Sequence, residues 1–165
     1  MKKIVFFLLL SILSFASTYK SDKTAIDFSI KKLSSSYEIT ITAPTDGWVA
    51  IGFDGGKIMK DYEVVMLSND NGSPSIEHFY GVSNFVIKSI SSLEKSYKNE
   101  NLTLKSFVNS QGKSTYVFER SEKVKNSYIK SLEKDKKIKV IVAYSSSTNT
   151  SKKHKKADSL EIVLP

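Results

Sequence analysis

Two residues far apart in this chain could together hold a transition metal. One is Met59, in GWVAIGFDGGKIMKDYEVVML (residues 47–67); the other is His154, in SSSTNTSKKHKKADSLEIVLP (residues 145–165). A thioether sulfur and an imidazole nitrogen make the axial pair of a low-spin haem, and the thioether raises the reduction potential. Both side chains also have plainer uses. A loop methionine is an adaptable apolar contact, and a histidine set among lysines is a solvated surface residue. Residue type leaves both readings open. His78 is the other histidine and a reserve candidate for a ligand. The chain has no cysteine, which excludes a disulfide framework, a thiolate nucleophile and thioether attachment of haem. Two histidines do not support a multi-histidine zinc site. No nucleophile–base pair is visible, so electron transfer or ligand binding is expected rather than a stand-alone enzyme.

A ligand pair so distant in sequence needs two loops brought together by a rigid scaffold, and the expectation is that they converge at one end of it. The scaffold is legible as alternation. Ile26, Phe28 and Ile30 alternate with polar residues, as do Tyr37, Ile39, Ile41 and Ala43. Such a period of two marks strands with one buried face. Residues 48–53 and 62–67 are apolar on both faces, as central strands are. Further strands are expected at 76–82, 102–108, 115–120, 138–144 and 160–164. Asn69-Asp70-Asn71-Gly72 reads as a turn, and Ser110-Gln111-Gly112-Lys113 as a hairpin turn. Val124, Tyr128 and Leu132 suggest one face of a short helix. Nine or ten short strands without a repeat or a linker predict an all-β protein, an immunoglobulin-like antiparallel β-sandwich.

The first 16 residues read differently. Lys2 and Lys3, the apolar run 4–13 and Ser14-Phe15-Ala16 form a secretory leader, too short to span a membrane as a mature helix. The expected layout is a signal peptide over 1–16 and one domain over 17–165, periplasmic or secreted, with no membrane span after cleavage. The formal charge is +8, and loss of Lys2 and Lys3 leaves +6. Lysine supplies nearly all of it, because Arg120 is the single arginine. That lone arginine suggests a position needing a planar fork of donors. Nucleic acid is not an expected partner, because no aromatic-basic motif is present. Lys152, Lys153, Lys155 and Lys156 around His154 form a solvated run that could steer a redox partner with an acidic surface.

Residues 37–67, YEITITAPTDGWVAIGFDGGKIMKDYEVVML, resemble the opening of a DOMON domain: a strand, a Gly-Trp-x-Ala-Ile-Gly-Phe core, a methionine-bearing loop and a Val/Ile strand. TYVFER resembles that family's Phe-x-Arg strand. Residues 138–164 resemble its closing section, with a histidine in the loop before the last strand. The resemblance runs in order over most of residues 24–164 and is weakest over 74–110. It departs from the usual pattern at Lys60-Asp61-Tyr62. It implies non-covalent haem b held by Met59 and His154, as in cytochrome-type members such as the haem domain of cellobiose dehydrogenase. Trp48, Phe53, Tyr62 and Arg120 become candidate cofactor contacts. For Trp48, Phe53 and Tyr62 the alternative is the core, and for Arg120 a buried structural bond. Gly55 and Gly56 are expected to let the Met59 loop turn sharply. The resemblance equally allows a haem-free relative that binds a sugar or another small ligand.

Overall fold

The computed structural model of the chain describes residues 16–56 and 58–165; of the leader expected over residues 1–16, residues 1–15 lie outside them and Ala16 begins a strand. Among the described residues the strands are β1 (Ala16–Ser21), β2 (Ile26–Lys32), β3 (Ser36–Ala43), β4 (Val49–Phe53), β5 (Glu63–Asp70), β6 (Ser73–Ser83), β7 (Val86–Ser89), β8 (Leu102–Ser110), β9 (Lys113–Ser121), β10 (Lys137–Tyr144) and β11 (Lys156–Val163). A single helical turn, α1 (Ile90–Leu93), follows β7. One sheet has the order β1-β2-β3-β9-β8, the other β11-β10-β4-β5-β6-β7. Every pairing is antiparallel. The expected β-sandwich is the observed fold.

The alternating residues explain the core. Phe28, Ile39, Ile41, Tyr116 and Phe118 from one sheet meet Ile51, Phe53, Val65, Val140 and Val142 from the other. This layer removes apolar surface from water at about 25 cal/mol per Å². The two expected turns close as tight hairpins. Asn71 and Gly72 have φ of 50° and 88°, and Gln111 and Gly112 have 54° and 72°; paired left-handed residues match the twist of the strands they join.

Three expectations change. β1 and β7 are strands that alternation does not reveal. β1 is held by backbone pairing to β2 and by the Tyr19 ring, stacked 5.1 Å from Phe28. The short helix expected near Val124–Leu132 does not form. Its backbone is used elsewhere: Leu132 N–H donates to the Glu122 carbonyl (3.0 Å), and Lys130 N–H donates to a Glu63 carboxylate oxygen (2.7 Å). The two loops of interest also leave the scaffold differently from expectation. Phe53 pairs with Glu63, so the 54–62 loop lies at that end of β4. Tyr144 pairs with both Val49 and Lys156, so the 145–155 loop lies at the opposite end. Four residue steps along β4, about 13 Å, separate the ends.

Candidate functional site

The two loops leave from opposite ends of β4, and each packs against a residue of the outward face of its sheet. β4 and the 64–67 stretch of β5 are apolar on both faces, as their sequences indicate, and Ile141 and Ala143 of β10 extend the outer face. Their outward side chains form a second cluster, Trp48, Ala50, Tyr62, Val64 and Met66, on the side of the sheet away from the sandwich core. An antiparallel sheet with one face on the core ordinarily presents a polar outer face. Here Trp48, Tyr62, Val64 and Met66 are each less than 5% exposed.

Met59 is partly buried and packs against this cluster, as do Phe79, Ile87 and Ile141. Its loop is fixed at the edge of β6. Asp61 N–H donates to the Gly81 carbonyl (2.8 Å), and Gly81 N–H donates to the Tyr62 carbonyl (2.9 Å). A Cβ on Gly81 would stand 1.7 Å from the Met59 carbonyl oxygen, so only glycine lets the loop lie this close. Gly55 serves a related purpose: a Cβ there would stand 2.0 Å from the Tyr62 ring. Gly55 is therefore needed for room, while the left-handed turning falls to Asp54, Ile58 and Asp61, with φ of 48°, 57° and 66°.

At the other end, the 145–155 loop is pinned over Trp48. The indole N–H donates to the Lys152 carbonyl (3.2 Å) and the Ser145 hydroxyl to the Lys153 carbonyl (3.2 Å). Lys155 N–H donates to the Tyr144 carbonyl (2.7 Å). His154 thus stands between anchored neighbours. It is exposed, and among the described residues its ring has no hydrogen-bond or ion-pair partner. Beside the Met59 loop opens a cleft of about 440 Å³, lined by Ile58, Tyr62, Ile141, Asn84, Lys139 and Ser159. That volume falls in the range of small-molecule and cofactor sites.

The sheet separates the candidate residues into two groups. Met59, Trp48 and Tyr62 share the outer cluster. Phe53 and Arg120 point inward: Phe53 is in the inter-sheet core, and Arg120 is fully buried with its guanidinium 5.5 Å over the Phe53 ring. The fork expected of Arg120 closes on a partner that sequence reasoning missed. Its Nε and Nη2 donate to the two oxygens of the Glu63 carboxylate, at 2.7 and 2.5 Å. Nη1 donates to the Ser121 carbonyl and Nη2 also to that of Lys130. His78 belongs to this interior group. Its Nε2 lies 2.7 Å from Glu63 Oε1 and its Nδ1 2.7 Å from the Tyr97 hydroxyl. Both ring nitrogens are hydrogen-bonded on the face away from Met59. Burial alone would raise the Glu63 carboxyl, but Arg120 and His78 outweigh it and hold the group down from its ordinary 4.5 to about 2. A carboxylate inside the apolar run of residues 62–67 was the signal for this unit.

Residues 20–145 match the DOMON domain family. The chain belongs to that family. The match within this DOMON domain includes Met59 and the Glu63–Arg120 pair and ends nine residues before His154. A 55-residue stretch, 33% of the chain, is 40% identical to the DOMON domain-containing protein FRRS1L of Mus musculus and to that of Homo sapiens. The stretch amounts to 19% of those proteins, so the chain spans about a fifth of the curated relatives it matches. In three dimensions it is similar to the cytochrome b domain of pyranose dehydrogenase from Coprinopsis cinerea, with a TM-score of 0.68 over 90% of this chain and 81% of that one. It is also similar to the cytochrome domain of Myriococcum thermophilum cellobiose dehydrogenase, with a TM-score of 0.59 over 92% and 82%. Identity is 11% in both cases, so these likenesses establish a shared fold.

Proposed function

We propose that this DOMON domain is an exported b-type cytochrome that carries single electrons, with haem b bound on the outer face of the six-stranded sheet between Met59 and His154. One observation carries the reading. The partly buried Met59 packs against an apolar sheet face, and the loop that carries the exposed His154 is pinned at the other end of β4 to Trp48 of that same face. Loops rooted at opposite ends of β4 would let Met59 and His154 hold the haem between them. Haem iron, when bound, supplies the one-electron chemistry. Trp48 and Tyr62 supply apolar walls, and the pinned carbonyls of Lys152 and Lys153 hold the His154 loop in place. Phe53 and Arg120 support the sheet from behind and take no part in contact.

The leader expected at residues 1–16 directs the domain to the periplasm or the exterior. Lys152, Lys153, Lys155 and Lys156 are all exposed around His154 and suit a redox partner with an acidic surface. Held on haem iron, Met59 and His154 would leave the domain to pass electrons rather than break bonds itself.

A second reading rests on the cleft. Its mixed lining, with Lys139, Ser159 and Asn84 beside Tyr62 and Ile141, also suits a small polar-apolar ligand such as a sugar, without haem. Absorbance of protein purified from haem-replete cells separates the two. The cytochrome reading expects a Soret band and sharp α and β bands on reduction. A colourless protein that refuses added haem supports the second reading instead.

A further inference from the structure

The surface carries an apolar knuckle that neither the core nor the proposed haem face uses. β6 and β7 form a hairpin with Ser83 paired to Val86, so Asn84 and Phe85 make its tip. The register shifts between Gly81 and Ser83, and such an irregularity re-aims the side chains beyond it. Phe85 is 84% exposed, with Val86 at 45% and Val82 at 37% beside it. Ile58, 56% exposed, joins them across the cleft that it lines together with Asn84. Four of the six large apolar side chains exposed among the described residues therefore gather at one corner.

Lysine predominates around this corner. Lys60 and Lys88 are exposed on the two segments that form it, and exposed Lys139 lines the adjoining cleft. Within residues 58–62 and 80–89 the single carboxylate is Asp61, and it accepts the Tyr80 hydroxyl at 3.0 Å.

We propose that the β6–β7 tip, with Ile58, is a contact for an anionic membrane surface. Phe85 and its valine neighbours enter the headgroup–acyl boundary, while Lys60 and Lys88 meet lipid phosphates. Shape and charge select this occupant. The knuckle is convex and small; a stable protein interface needs about 800 Å² on each partner, far more than four side chains at a hairpin tip offer. A fluid bilayer accepts a few protruding apolar groups, and juxtaposed lysines strengthen the contact when the lipids are anionic. A second copy of this chain would bring the same lysines against these ones. The proposal is independent of haem.

The test is co-sedimentation of the exported chain with vesicles of phosphatidylcholine alone and of equimolar phosphatidylcholine and phosphatidylglycerol. Binding is expected to the anionic vesicles and to weaken with salt. Phe85→Ser should weaken it more than tenfold; the side chain is at an exposed tip, so the fold, checked by circular dichroism, should persist. Lys60→Ala with Lys88→Ala should also cost more than tenfold, because each lysine near an anionic surface is worth about a fivefold change. Lys20→Ala with Lys113→Ala, equal in charge but on the other sheet, should change binding little. The proposal is overturned if the wild type binds neither vesicle, if Phe85→Ser binds as the wild type does, or if the two lysine pairs weaken binding equally. A wild-type dimer that Phe85→Ser converts to monomer, without vesicle binding, would assign the knuckle to a second copy instead.

Discussion

Glu63 and Arg120 are the residues on which the interior of this sandwich depends most. Each is 0% exposed, and each is tolerable there only because of the other. Removing one partner from a buried pair leaves an uncompensated charge and costs about 3–5 kcal/mol. Arg120→Ala should therefore lower Tm by roughly 10 °C for a domain of this size, as calorimetry would show. Replacing both, Glu63→Leu with Arg120→Leu, should cost less than either single change, because no charge is then stranded. The same pair sets an acid limit. The folded carboxyl titrates near 2, below its ordinary 4.5, so its contribution is complete above about pH 4.5 and is lost as pH falls toward 2. Tm measured against pH should fall steeply across that window in the wild type. The fall should be shallower in Glu63→Leu with Arg120→Leu. The single arginine in a lysine-rich chain announces this unit in the sequence; its partner is harder to see, because Glu63 stands within a strand that otherwise reads as wholly apolar.

At the scale of elements, the 54–62 loop is where sequence and structure differ most usefully. Its glycines suggest turning, yet Gly55 provides room for the Tyr62 ring, and the left-handed backbone falls to Asp54, Ile58 and Asp61. Ile58 is the notable one, because a β-branched residue at positive φ is a true outlier. Strain at such a position is of order 1–3 kcal/mol and persists when neighbours over-determine it; here the neighbours are the Met59–Gly81 contact and the Asp61 bond to β6. Ile58→Asn, which tolerates that backbone, should raise Tm by about 2–4 °C. Gly81→Ala should act in the opposite direction, because its methyl must displace the Met59 carbonyl. Strands with strict alternation, such as β3 and β9, are readable directly from sequence. β1 and β7 are not, because edge strands are held by backbone pairing rather than by a patterned face. The helix expected near residues 124–132 is lost because Glu63 and Glu122 capture backbone donors that a helix would use internally.

At the scale of the molecule, the sandwich presents two different exteriors: a five-stranded sheet of ordinary alternation and a six-stranded sheet whose outer face is apolar. The choice of fold class follows from period-two patterning, and the doubled apolar character of residues 48–53 and 62–67 already signals that both faces are covered. What sequence cannot show is that the 145–155 loop lies at the opposite end of β4 from the 54–62 loop, since that depends on the pairing of Val49 with Tyr144. The account therefore stands on whether Met59 and His154 act across this face as a pair. The most direct measurement is a stoichiometric haem titration of wild type, Met59→Ala and His154→Ala, followed by optical spectra of the ferric and ferrous forms. The account predicts one haem per wild-type chain with a low-spin, six-coordinate spectrum, a five-coordinate or weakly held haem in Met59→Ala, and the largest loss of affinity in His154→Ala. Stoichiometric low-spin haem that persists unchanged in both variants, or a wild type that takes up none, would contradict it.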